Sequence, residues 1–422
     1  MAFGEAMRTR REAAGLSLRA LAREAHVDPG HLSRIEAGAR PPTPAIAEAV
    51  DVALGADGAL VAVAGRPRPA PLCRFGSDTW SRDDSEALAA ALVEHAPTPE
   101  NALRLAHEWL VAEPPQVFEV RAGRRIGSST VEHVEQRVHQ LRLLDDHVGG
   151  EETFALVTAE VAATAELLQL ASYTEDVGRR LLVGLGELCQ VAGWVASDAG
   201  RHRDAERLYL TGLRAAHAGG DRAGAANNLS SLAYQVSNVG DPRDAVLLAR
   251  SAFRGAEQHA SATTRALLLE RVAWAHARAG DAHACDRTLA AVERELEHQR
   301  PDDDPVWVYW LSSDEVEIMA GRCWTELRRP LRAVPILERA TAGYGADIAR
   351  ETALYLTWLA EAFVQAHEVD QAADAATRAL RLARVARSVR ATERVEVLRR
   401  VLEPHRGNVV VDEFEDSYRS NS

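Results

Sequence analysis

Three segments of this chain, GRHRDAERLYLTGL, GDPRDAVLLARSAF and GDAHACDRTLAAVE, begin at Gly200, Gly240 and Gly280. A spacing of 40 residues that repeats constrains the fold more than any other feature of the sequence. Each glycine marks a turn between two helical stretches. A small residue follows at a fixed offset, Ala205, Ala245 or Cys285, where two helices cross closely. Weaker copies put Ala333 and Ala372 at the equivalent place. A single helix pair cannot bury its apolar face, so such units must stack on their neighbours. Composition agrees. Hydrophobic residues make up 46% and are mostly Ala, Leu and Val, while aromatics are only 5%. That is the vocabulary of packed helices rather than sheets, and the expectation is an all-α protein.

With small residues near the helix middle, glycine in the turn and an Ala-rich second helix, the pattern resembles tetratricopeptide repeats. Its period of 40 exceeds the roughly 34 residues of that family. The resemblance implies a right-handed α-solenoid whose first helices line a concave surface. It also implies which positions face inward: Glu187, Gln190, Trp194 and Ser197 in one repeat, then Asn227, Ser230, Tyr234, Ser237 and Asn238, then Leu267, Glu270, Trp274 and Arg278. Trp194, Tyr234 and Trp274 thus recur 40 apart on one ladder. Rings flanked by amides and hydroxyls suit a peptide or amphipathic small-molecule effector. Plain interhelical packing of the same rings is the competing reading, and the sequence leaves both open.

The N-terminus carries a second signature. Phe3 and Met7 alternate with charged residues until Gly15. Ser17 then caps a helix with Leu18, Leu21, Ala22 and Ala25 on one face. After the short turn His26-Val27, Asp28 caps a third helix with Pro29 at its first position, Leu32 and Ile35 inward, and Gly38 at its end. A fourth helix is expected from Pro44 to Leu54 behind Thr43, and a fifth near 59–63. The segment GLSLRALAREAHVDPGHLSRIEAG closely resembles the helix-turn-helix of the phage-repressor-like XRE family over roughly the first 65 residues.

That resemblance implies a five-helix domain whose third helix enters the major groove of double-stranded DNA. Its base-reading positions fall at Pro29, Gly30, His31 and Arg34. The first two have no side-chain donor, so recognition leans on His31 and Arg34. Arg19, Ser33 and Arg40 are placed for phosphates. Arg11 and Glu36 match the family's internal ion pair between helices one and three. His26 stands where the turn usually has glycine, so it must tolerate a positive φ.

Between the two signatures, GRPRPAP from Gly65 reads as a semi-rigid spacer. Residues 77–112 look helical but broken by Pro97 and Pro99, and Pro114-Pro115 opens an extended stretch reaching Gly127. Helical periodicity resumes over 131–144 and 154–170. The expected organisation is 1–65 for the helix-turn-helix, 66–127 for linker and short helices, 128–406 for the repeats, and 407–422 for a short acidic tail without fixed structure.

Charge and motifs limit the function. Of the net charge of -13, residues 1–70 carry +1 and the remainder -14, so only the N-terminal part approaches DNA cheaply. No metalloprotease, Walker, nucleophile-elbow or dinucleotide motif is present, and Cys73, Cys189, Cys285 and Cys323 are scattered without a CxxC. The reading is therefore not an enzyme, with no cofactor and no metal site. The N-terminus lacks a signal-peptide core and no long uninterrupted apolar run occurs, which points to the cytoplasm and away from membranes. The architecture resembles actinobacterial XRE regulators with tetratricopeptide-like tails. It implies a homodimer on an inverted repeat, with the repeats sensing an effector or partner. A repeat-based interaction scaffold, with DNA binding secondary, is the alternative.

Overall fold

The structure is a computed structural model and describes residues 3–37, 42–56, 58–64, 75, 79–93, 99–115, 117–118, 123–147, 151–342, 349–386 and 389–420. These residues form twenty-one α-helices and four two-residue strands, as the all-α reading expects. The chain divides into two compact units, Met1–Leu72 and Cys73–Ser422.

The first unit contains α1 (Phe3–Ala13), α2 (Leu18–Glu24), α3 (Pro29–Glu36), α4 (Pro44–Ala53) and α5 (Ala59–Ala64). Its core is Phe3, Met7, Leu21, Ala22, Ala25, Leu32, Ile35, Ala47, Val50 and Leu60, the apolar stripe of each short helix turned inward. Helix α1 lies so close to the end of α3 that a Cβ on Gly4 would sit 2.5 Å from the Ile35 carbonyl oxygen. One buried polar device has no signature in the sequence. The Asp51 carboxylate accepts backbone N–H bonds from Gly58 and Leu60 at 2.7 Å and from Val61 at 3.3 Å, and so caps α5 from within α4.

In the second unit, five helix pairs stack in sequence: α10 (Glu175–Asp198) with α11 (His202–Gly219), α12 (Arg222–Val239) with α13 (Pro242–Ala256), α14 (Ala262–Arg278) with α15 (Ala282–Leu296), α16 (Ser313–Glu326) with α17 (Pro330–Ala342), and α18 (Ala349–Gln365) with α19 (Val369–Ala386). First helices pack on first helices of the neighbouring pairs, and each second helix touches the next pair's first helix. The expected small residues Ala205, Ala245, Cys285, Ala333 and Ala372 are all fully buried. Gly200 and Gly280 take the left-handed turn conformation, φ 73° and 76°. In the last two pairs the same turn position, five residues before the small one, is held by Arg328 (φ 54°) and His367 (φ 63°). The glycine signal thus fades there while the geometry persists.

Helices α6 (Arg82–Val93) and α7 (Pro99–Val111) lie on either side of the expected proline break. They are docked rather than free. Helix α6 packs on α9 (Glu151–Leu170) and α11, and α7 packs on α13, where the Trp109 ring fills the space a Cβ on Gly255 would need. Strand β1 (Thr79–Trp80) pairs in parallel with β2 (Val117–Phe118), and β3 (Arg124–Arg125) with β4 (Ala171–Ser172). Helix α8 (Ser128–His147) and α9 then lead into the first pair. Helix α9 includes a window, Thr153–Leu170, long and apolar enough to cross a bilayer. It carries Glu160 and Glu166, of which Glu160 pairs with Arg137 at 3.4 Å, and it packs against α6, α8 and α10.

Cys189, Cys285 and Cys323 are buried free thiols, and burial together with the neighbouring Cys285 pushes the Cys323 thiol well above its ordinary range. One expectation changes. The acidic C-terminus, expected to lack structure, forms α21 (Val409–Arg419) after α20 (Val389–Leu402) and docks on α19. Asn408 caps it through Val410 and Val411. Val411 and Phe414 are fully buried, and Glu415 pairs with Arg399 at 2.9 Å. The last repeat's open apolar face supplies what the tail alone lacks. Phe414→Ala should therefore lower unfolding stability by about 3–5 kcal/mol, read by denaturant titration under far-UV circular dichroism. A loss below about 1 kcal/mol would mean that α21 does not close the stack.

Candidate functional site

In the first unit, α2 and α3 form the helix-turn-helix. The Ser17 hydroxyl accepts the Ala20 N–H at 3.1 Å, and the Asp28 carboxylate accepts the His31 N–H at 2.8 Å with Pro29 at the first helical position. Between them His26 does adopt positive φ, 54°. The expected ion pair is also present. Arg11 holds Glu36 through two N–H donors at 2.9 Å each, Arg8 adds a third at 3.2 Å, and Arg11 also donates to the Leu16 carbonyl at 2.8 Å. Hydrogen bonds from Arg11 keep the Glu36 carboxyl below the ordinary carboxylate range, against the opposing effect of burial. This pair fixes α1 against α3, so it orients the reading helix without facing DNA itself.

Along α3, Pro29, Gly30, Ser33 and Arg34 are exposed, and Arg19 is exposed on α2. Among the described residues the side chains of Arg19, Ser33 and Arg34 make no hydrogen bond or ion pair, which leaves their donors available. Arg40 lies outside the described residues. His31 is less open than its neighbours on α3. It precedes Ile35 by one helical turn and shares that inward face, is half-buried, and has its Nε2 enclosed. Of the four expected base-reading positions, Arg34 is the exposed one with side-chain donors.

In the second unit, the structure brings the three expected rings together. Trp194 and Tyr234 stack at 5.7 Å between centroids, and Tyr234 and Trp274 lie at 6.4 Å. Trp274 and Tyr234 are core-buried, while Trp194 is only half-buried. Several of the flanking polar residues are committed internally. Gln190 accepts from Arg142 at 3.0 Å, Ser230 donates to the Asn227 carbonyl at 2.9 Å, and Asn238 accepts the Trp274 indole N–H at 3.1 Å. Arg278 donates to the Ser237 carbonyl at 2.9 Å and pairs with Glu326 at 2.6 Å. Asn227 is buried, and its side chain makes no hydrogen bond among the described residues.

The sequence reading missed the ladder's continuation. Trp194, Tyr234 and Trp274 each precede their repeat's small residue by eleven positions. The same step back from Ala333 and Ala372 reaches Arg322 and Glu361. Arg322 lies over the rings of Trp274 (4.7 Å), Trp358 (5.3 Å) and Tyr234 (5.6 Å), and donates to the Tyr234 hydroxyl at 2.7 Å. Trp358 meets Trp274 edge-on at 5.3 Å. Arg271 covers Tyr234 at 4.5 Å and approaches Trp194 and Trp310, while Arg394 covers Trp358 at 3.8 Å and pairs with Glu361 at 2.7 Å. Glu270, 1% exposed, sits among these groups, and burial pushes its carboxyl up to about 8. The site is thus a column of alternating rings and guanidiniums rather than rings flanked by amides. The fixed offset from the small residue was the signal that could have revealed it.

For the head, a depressed carboxylate contributes stability that is complete above its unfolded pKa, about 4.3, and fades as pH falls through the folded value. Arg11→Met should weaken amide-exchange protection of α1 and α3 by about 1–2 kcal/mol at neutral pH. The gap from wild type should shrink between about pH 6 and about pH 3. An equal gap at both ends would show that the pair adds nothing. No curated protein matches this chain. Residues 2–64 match the family model described as a helix-turn-helix domain, so the N-terminal unit is a helix-turn-helix domain and the rest is a helical repeat-like region.

Proposed function

We propose that this protein is a transcriptional regulator of the XRE kind. Its helix-turn-helix reads double-stranded DNA, and its repeats dimerise and receive a peptide or small-molecule effector that controls DNA binding. The observation that carries the reading is Arg34, an exposed guanidinium without a protein partner among the described residues, on the third helix of a helix-turn-helix. Bidentate donation to guanine O6 and N7 would supply about 1–3 kcal/mol of discrimination. A net charge of +1 over residues 1–70 gives little non-specific attraction. Two heads on one duplex supply what one lacks, with half-sites separated by about 34 Å or a multiple of it. Dimerisation by the repeats is then the natural point of control.

The direct test is a footprint of the region upstream of the protein's own operon with wild type and Arg34→Ala. An inverted repeat protected by wild type and lost or relaxed in the variant is expected. No protection by wild type overturns the reading. For the sensor half, Tyr234→Ala with Asn227→Ala should abolish the effector response of DNA binding, measured by fluorescence anisotropy, while basal DNA affinity stays intact. An unchanged dose response removes the ladder from sensing.

A further inference from the structure

Arg322 is 6% exposed, yet among the described residues no carboxylate pairs with it. Among those residues its side chain donates to the Tyr234 hydroxyl alone, and its Nε is enclosed without a partner. Glu270 is 1% exposed, and its Oε1 is likewise enclosed and unpartnered. Trp358 is 5% exposed and its indole N–H is in the same condition. Burying a charge without pairing it is costly, and each enclosed polar atom left without a hydrogen bond costs about 1–3 kcal/mol. Three such atoms gathered in one column of rings are not explained by packing, which Leu or Met would serve better.

The chemistry of the gathered groups selects the missing partner. Two guanidiniums, Arg271 and Arg322, lie over ring faces, which repels a cation from the places where an aromatic cage would hold one. Arg394 is already satisfied by Glu361, and Arg278 by Glu326. Arg322 offers a planar fork suited to a carboxylate. Glu270 faces Arg271 on its own helix and Glu315, Arg322 and Cys323 on α16. Held largely protonated near neutral pH, it acts as a hydrogen-bond donor rather than a second charge. At the rim, Trp194 is half-buried and Trp310 is 37% exposed, so ring faces reach the surface beside Arg271.

We propose that this column binds a small organic anion with a flat, unsaturated body, its carboxylate taken by Arg322 with Glu270 as second donor, and its ring laid against the ring faces that reach the surface, Trp194 and Trp310. The proposal rests on the effector reading given above and narrows it to one ligand class. It also couples ligand to proton. The anion favours the protonated Glu270, so affinity falls as pH rises through and above about 8.

The full-length protein is titrated calorimetrically with 2-naphthoate, 2-naphthamide and 2-naphthylmethylammonium, which share a ring and differ in charge. Naphthoate is expected to bind at least about tenfold more tightly than the other two. Arg322→Gln should erase that preference and Arg322→Lys restore part of it. Glu270→Gln should remove the fall in affinity toward alkaline pH, because an amide donates at every pH. Equal or tighter binding of the amide or the ammonium probe overturns the proposal. So does an undiminished naphthoate preference in Arg322→Gln, or no naphthoate binding at millimolar concentration. If circular dichroism shows Arg322→Gln unfolded, the lysine and glutamine variants at 322 and 270 decide the matter by partial loss and by pH profile. Operator anisotropy on the same samples separates the two levels. Naphthoate bound without any change in DNA affinity defeats the sensor reading and leaves the site. DNA binding that responds to the neutral amide, with naphthoate ignored, defeats the ligand class and leaves the sensor.

Discussion

Five small side chains, Ala205, Ala245, Cys285, Ala333 and Ala372, set the register of the whole second unit. Each is fully buried near the start of a second helix, and a larger residue there would force neighbouring helices apart. Once the crossing is fixed, the residue eleven positions earlier must lie on the first helix at the same height in every pair. Trp194, Tyr234, Trp274, Arg322 and Glu361 therefore line up, although they share no chemistry. The ladder is a by-product of close packing.

The way it is filled runs against stability. A buried arginine without a carboxylate and a buried carboxyl without a hydrogen bond each weaken a fold that apolar residues would strengthen. The surrounding helices sustain them because the stack continues on both sides. Helices α6 to α9 cover its N-terminal end, with Trp109 buried against Gly255, and α20 and α21 close the other, with Phe414 buried. Rings at centroid distances of 5.3–6.4 Å hold the guanidiniums by their faces, a weaker and less directional restraint than an ion pair.

The head follows a different logic. Its short helices are tied by polar contacts at their ends: Ser17 and Asp28 as caps, Asp51 gathering three N–H groups, and Arg11 with Glu36 joining α1 to α3. With its internal charges so committed, what remains for a nucleic acid is a small set of exposed groups, chiefly Arg34, Arg19 and Ser33. Geometry is spent on placing one specific contact, and electrostatic attraction is slight.

Local rules written in adjacent residues were readable from the sequence alone. The caps at Ser17, Asp28 and Thr43, the strained turn at His26, the Arg11–Glu36 pair, the proline break before α7 and the buried small residues of all five repeats depend on short-range chemistry or a fixed period. Tertiary structure decided what depends on neighbours distant in the chain. The acidic tail became a helix because the last repeat offers Val411 and Phe414 an apolar face. His31 turned partly inward because it shares a helical face with Ile35. Arg322, Glu270 and Trp358 came together because α14, α16 and α18, on which these residues stand 36 to 88 positions apart, stack side by side. The fixed offset from the small residue marks the place of Arg322 on the ladder, but burial and missing partners are properties of the packed molecule and not of any segment.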